Sequence, residues 1–285
     1  MWILKAIFQA IAQAVTFILP VSESGHSAVF HNFAERYTNA CSQLTGIIHI
    51  GIAIGLFLAF FKLFKNLFFN FISTWIEIFQ KNFNIKNAKP SRSFMYMTML
   101  SFVPMILYAI PAGKYKNIYN VFHRVSYNDS IFGEGICLML TGVLLFAAIG
   151  LAEKKLNPLP KTVQAIILGI IAFLAVPTSG CSLIAGVFCV GVIVGMNEKI
   201  ALRYSVVLST MVLLVSGIVE LCIGVTKINI ISALIGLIVS AVVSFFVAKL
   251  LVFIIKKKQL MPFAVYDIAF GLIALVIGIF QIMVK

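Results

Sequence analysis

The 285-residue chain is 61% hydrophobic and 11% charged, with a mean hydropathy of +1.07. That balance excludes a soluble globular domain and gives an integral membrane protein. The net charge of +13 would suit a nucleic-acid binder in a soluble protein, but here the cations lie in short loops beside apolar spans, so topology accounts for them and no nucleic-acid partner is expected.

The first apolar run ends at Leu19-Pro20-Val21-Ser22-Glu23-Ser24-Gly25-His26. Hydroxyls, a carboxylate and an imidazole at membrane depth are expensive to keep, which marks a site. The first 19 residues, with Lys5, have the look of a cleaved leader, yet the polar motif directly after them argues that they are retained. Six runs of spanning length, about 20 residues each, follow at 44–62, 94–112, 131–152, 200–224, 228–255 and 262–283. The aromatic stretch 63–80, flanked by basic residues, predicts an interfacial helix. Residues 81–92 are polar and basic, and predict a loop.

A second broken run, Ala175-Val176-Pro177-Thr178-Ser179-Gly180-Cys181-Ser182, echoes the first. Gln9-Ala10-Ile11 before the one break matches Gln164-Ala165-Ile166 before the other. The expected fold is therefore an all-α integral membrane domain over 1–285, with six transmembrane helices and two re-entrant hairpins. Its pseudo-repeats of 1–152 and 163–285 are inverted, and their broken helices meet at one split site. Irregular backbone at that depth needs a protein-walled cavity.

Charge sets the orientation. Lys62, Lys65, Lys81, Lys86, Lys89 and Arg92 occupy one loop, Lys154, Lys155 and Lys161 another, and Lys256, Lys257 and Lys258 a third. The positive-inside rule makes all three cytoplasmic. Residues 1–43, 113–130 and the C-terminus then fall outside, against the mild opposition of Lys114, Lys116 and Arg124. The segment 163–197 must enter and leave on the cytoplasmic side. Cys41, Cys137, Cys181, Cys189 and Cys222 show no paired metal spacing, and no disulfide framework is expected.

A turn rich in serine and glycine that opens a helix offers free N–H groups, hydroxyls and the positive end of the helix dipole to phosphate oxygens. Ser22, Ser24, Gly25 and Ser182 suit that role, and Ser179 and Gly180 extend it to the second break. His26 could donate a proton, orient a bridging oxygen or attack phosphorus. The competing reading is that these small residues serve helix packing, their hydroxyls bonding back to carbonyls. Glu134 and Glu220 are intramembrane acids that function or an interface could explain equally. His49 reads as a hydrogen-bonded core residue, and Asp267 as a polar helix contact or a partner for Lys249.

The stretch Gln13-Ala14-Val15-Thr16-Phe17-Ile18-Leu19-Pro20-Val21-Ser22-Glu23-Ser24-Gly25-His26 resembles the first motif of the undecaprenyl-diphosphate phosphatase, or bacitracin-resistance, family, E-G-x-T-E-F-L-P-V-S-S-T-G-H. Ile48-His49-Ile50-Gly51 is similar to its I-Q-L-G, Ala152-Glu153-Lys154 to its A-E segment, and Met261-Pro262-Phe263-Ala264-Val265-Tyr266 to its I-P-F-A-I-Y. The resemblance implies a bacterial plasma-membrane enzyme that removes one phosphate from undecaprenyl diphosphate and so regenerates a cell-wall lipid carrier. A polyprenyl phosphate or diphosphate lipid is its partner, with a homo-oligomer left open.

The departures fall on the chemistry. The two family glutamates become Gln13 and Phe17, and the arginine of P-G-x-S-R-S-G becomes Leu183. A carboxylate pair can hold a divalent cation such as Mg2+ or Ca2+, which an amide and a phenyl ring cannot. The lost arginine removes a bidentate phosphate contact. Glu23 stands where the family has a hydroxyl and could supply the replacement carboxylate, with Gln13 beside it as a weak metal ligand. Catalysis would then fall to His26, Ser22 and Glu23. The alternative is a catalytically silent relative that binds or translocates a polyprenyl phosphate lipid, and a small-solute or ion transporter has less support because coordinating acids are few.

Overall fold

The computed structural model describes residues 2–34, 43–81, 88–113, 118, 121, 130–152, 159–223 and 229–284. Cys41, Lys86, Lys114, Lys116, Arg124, Glu153, Lys154 and Lys155 lie outside them. Eleven α-helices carry the described chain: α1 (Trp2–Ile18), α2 (Glu23–Ala34), α3 (Gln43–Ala59), α4 (Phe61–Phe79), α5 (Pro90–Phe102), α6 (Phe132–Leu151), α7 (Thr162–Ala175), α8 (Leu183–Ile193), α9 (Glu198–Ile223), α10 (Ile230–Lys256) and α11 (Met261–Met283). A 3-10 segment, Val103–Ala109, extends α5. This is an all-α integral membrane protein.

Helices α6, α9, α10 and α11 are each long and apolar enough to cross a membrane, and α3 with α4 makes a fifth candidate if the bent pair counts as one span. The chain turns by 92° between α3 and α4. That bend separates the expected span from the expected interfacial helix. The expected span at 94–112 differs from the structure, because the α-helix starts earlier, at Pro90, and gives way at Val103 to the 3-10 segment. Pro104 explains the change, having no N–H for the α-helical ladder. Pro90 itself opens α5 at a position where a missing N–H costs nothing, so the expected loop at 81–92 ends before it. Arg92 then fastens α5 to α4, its guanidinium donating to both Glu77 oxygens at 2.6 and 2.9 Å and to the Ser73 hydroxyl at 2.9 Å.

Packing follows small residues. A methyl group at Gly51 or Gly55 of α3 would collide with Ser240 or with the Ala241 carbonyl of α10, and one at Gly46 would meet the Gly217 carbonyl of α9. Close approach of this kind drives helix association where lipid removes the hydrophobic incentive. Helix α3 packs on α9 and α10, α6 on α11, α1 on α10, and α7 on α5. The apolar core they share runs through Ile18, Ile52, Leu56, Leu168, Tyr204 and Leu208.

The two breaks lie among these helices. Helices α2, α7 and α8 have 12, 14 and 11 residues, fewer than the roughly 17 that a span needs. The α7–α8 pair folds back on itself: the Gln164 side-chain amide, near the start of α7, donates to the Val194 carbonyl at the end of α8 across 2.7 Å. Entry and exit of that hairpin are therefore on one side.

Candidate functional site

Each break arises from a proline and is closed by a serine. The turn Leu19–Ser22 contains Pro20, and the turn from Val176 to Ser182 contains Pro177. Ser22 caps α2 by accepting from the Gly25 N–H at 3.1 Å, and Ser182 caps α8 by accepting from the Ala185 N–H at 3.3 Å. The two inner helices thus begin in the same way, each satisfying one of the orphan N–H groups of its first turn.

The two breaks touch. The Gly180 N–H donates to the Ser24 hydroxyl at 3.1 Å, and the Ser179 hydroxyl donates to the Ser24 carbonyl at 3.4 Å. A methyl group on Gly25 would come within 3.1 Å of the Gly180 Cα. Gly180 has φ +91°, and a methyl group there would lie 2.8 Å from the Glu134 backbone. Only glycine fits such a position without strain. Ser22, Ser24, Gly25, Ser179, Gly180 and Ser182 are therefore gathered at one junction where two helix N-termini begin.

His26 stands on the first turn of α2. Its Nδ1 is 2.7 Å from the Ser22 carbonyl oxygen, and its Nε2 is 2.7 Å from the Tyr266 hydroxyl. A carbonyl only accepts, so Nδ1 carries the proton, and in the neutral ring Nε2 accepts from the tyrosine. The imidazole stacks on Phe270 with ring centroids 4.7 Å apart. Both aromatics come from α11, and the bond to Tyr266 joins residues 240 positions apart.

Acids flank the junction on two sides. Glu134, buried on α6, reaches the Ser179 hydroxyl and has its Oε2 free of any partner. Glu23 has the side chains of Gln13, His49 and Glu220 as neighbours. The His49 Nδ1 lies 2.8 Å from Glu220 Oε2, within ion-pair distance but out of line for a hydrogen bond. His49 is buried as expected of a core residue, and its neighbour is the carboxylate of Glu220. Lys249 corrects another expectation, since it donates to the Ala59 carbonyl at 3.1 Å. Asp267 is fully buried with neither oxygen bonded.

The donor set can be tested against a divalent cation. No three His, Cys, Asp or Glu side chains among the described residues are arranged to close around a metal. The buried Gln13 Oε1 has no partner and adjoins Glu23, giving two oxygen donors. That is enough for a Mg2+-type site, which uses one or two carboxylates and completes its shell with water and phosphate. The free cysteines include Cys137 and Cys181, whose thiols are in contact beside the junction. Tyr266, Phe270 and Cys137 were not recognised from sequence as parts of the site. Tyr266 could have been found, since it ends the Met261–Tyr266 segment.

Comparison with known proteins agrees with this architecture. An undecaprenyl-diphosphatase of Halothermothrix orenii is 28% identical, over 98% of this chain and all of its own length. Undecaprenyl-diphosphatases of Alkaliphilus metalliredigens and Ruminiclostridium cellulolyticum are each 26% identical, over 96% and 98% of this chain and 98% and 97% of theirs. Residues 6–273 match the family described as bacitracin resistance protein BacA. With that match covering nearly its whole length, the chain belongs to the bacitracin resistance protein BacA family.

Proposed function

We propose that this protein is an undecaprenyl-diphosphate phosphatase of the bacterial plasma membrane, acting at the junction of its two hairpin turns. The observation that carries the proposal is the contact of Ser24 with Ser179 and Gly180, which brings two helix N-termini to one point beside His26. Helix N-termini favour anions, and opposed broken helices in inverted repeats use this geometry for a substrate at mid-membrane. The matched capping by Ser22 and Ser182 supports the repeat; Gln164 ties its own hairpin to Val194, whereas Gln9 donates to Thr45 at 3.2 Å on the helix that follows its hairpin.

The Ser22 carbonyl fixes the proton on His26 Nδ1, which leaves Nε2 as the basic nitrogen. With the diphosphate seated on the Ser24, Gly25, Ser179 and Gly180 turn, Nε2 takes a proton from the attacking water or bonds the terminal phosphorus itself. In the first route water takes the terminal phosphoryl group as the P–O bond to the inner phosphate breaks, releasing inorganic phosphate; in the second that bond breaks as the phosphoryl group passes to Nε2, and water then cleaves the N–P bond to release phosphate. Both leave a polyprenyl monophosphate. Tyr266 orients the ring and is the nearest acid to its Nε2. Phe270 stacks on one face of the ring.

Glu23 and Gln13 together replace one of the two missing glutamates. The Gln13 side chain lies against Glu23, so the carboxyl group has moved from α1 to the first residue of α2, and a neutral amide holds the old position beside it. A glutamate kept at position 13 would repel it. A divalent cation such as Mg2+, held by Glu23 and the free Gln13 Oε1, would neutralise substrate charge there.

The test is phosphate release from undecaprenyl diphosphate by purified protein, with Mg2+ and with chelator. The proposal expects one phosphate per lipid. Retention of the lipid without release would favour the silent lipid-binding relative.

A further inference from the structure

On the opposite end of α3 from the hairpin junction, the 92° bend into α4 leaves a cavity of about 720 Å³ between that bend and the ends of α9 and α10. Five cations line it, Lys62, Lys199, Arg203, Lys249 and Lys256, and no carboxylate does. The rest of its wall is mainly apolar, with Leu58, Phe61 and Val252 among its residues. The positive-inside rule explains why cations are on this face. It does not explain their convergence, from three separate parts of the chain, on one concave wall. Like charges brought together without an acid raise one another's energy, and an anion in their midst relieves it. Lys249 is anchored by its bond to the Ala59 carbonyl, so one charge is held in the bend.

The wall continues onto apolar surface that faces outward. Leu58, Phe61, Leu250 and Phe253 are exposed beside the cavity, as expected where hydrocarbon chains lie against a helix. We infer that this cavity binds the phosphate headgroup of an anionic membrane lipid in the leaflet that the charge bias makes cytoplasmic, with its acyl chains along that apolar margin. The lipid is recognised by its phosphate charge, and the site is separate from the hairpin junction and independent of the phosphatase reading. Basic clusters next to membrane helices are suited to such headgroups.

Native mass spectrometry of the purified, detergent-solubilised protein tests this with phosphatidylglycerol, phosphatidylcholine and inorganic phosphate. Wild-type protein should retain phosphatidylglycerol about tenfold over phosphatidylcholine, and inorganic phosphate should compete only weakly. The preference should fall to near parity in Arg203→Gln/Lys249→Gln. It should be unchanged in Lys65→Gln, which removes a cation of the same face that does not line the cavity. Equal retention of the two lipids by wild-type protein would overturn the inference without any variant being needed. So would displacement of the lipid by inorganic phosphate at comparable concentration, or an equal loss of preference in Lys65→Gln.

Discussion

Gly180 donates its backbone N–H to the Ser24 hydroxyl across 3.1 Å, a bond between two turns 156 residues apart in sequence. It holds the second hairpin against the first, and it does so from a backbone with φ +91°. Gly180→Ala should therefore destabilise the protein by about 1–3 kcal/mol, since it adds strain at a left-handed position and a collision with the Glu134 backbone. A thermal unfolding series in detergent would show it as a lowered midpoint. An unchanged midpoint with unchanged activity would mean that the turns meet differently.

Tyr266→Phe removes the hydroxyl that His26 Nε2 accepts from, while leaving the stacked ring. Loss of one such bond corresponds to about 1 kcal/mol, so turnover should fall roughly fivefold, with the pH profile of turnover displaced because the imidazole loses a partner. A change confined to protein yield would make the tyrosine structural only.

Glu23→Gln should abolish turnover. The structure also predicts a rescue: Glu23→Ser with Gln13→Glu restores the family residues at these two positions and should recover activity that either single change lacks. Wild-type turnover should be slower than that of a relative with both glutamates, and Glu23→Ser, Gln13→Glu, Phe17→Glu and Leu183→Arg together should raise it. Steady-state phosphate release across the set measures the coupling between positions 13 and 23. Additive effects would show that Glu23 does not stand in for the lost acid.

His49 and Glu220 are both nearly buried, 8% exposed for His49, and 2.8 Å apart. Removing one partner of such a pair costs about 3–5 kcal/mol, while replacing both with apolar side chains is often neutral. Glu220→Leu alone should lower the unfolding midpoint sharply, and His49→Leu/Glu220→Leu should recover most of it. If the double variant is no better than the single, the two side chains do not act as a pair.

The all-α membrane fold was legible because long apolar runs have one physical solution in a bilayer. The breaks at Pro20 and Pro177 were equally legible, since proline and hydroxyls interrupt such runs only for a reason. Their contact was not: the Ser24–Gly180 and His26–Tyr266 bonds join segments whose proximity is set by helix packing, and neither leaves a local periodicity. The same applies to His49, whose partner Glu220 comes from α9 through the close fit at Gly46 and Gly217. The span expected at 94–112 failed for a local reason, the 3-10 segment at Pro104. That Glu23 could stand in for a lost acid is an expectation from the resemblance, and the structure adds that its side chain has Gln13, His49 and Glu220 as neighbours.

The most direct test of the central claim is phosphate release from undecaprenyl diphosphate by wild-type protein and by His26→Ala, each shown to be folded. A positioned acid–base group contributes about 10²–10⁴-fold to rate, so release should be measurable in the wild type and lower by that factor in the variant, with lipid binding retained. Equal release by His26→Ala, or none by the folded wild type, would contradict the account.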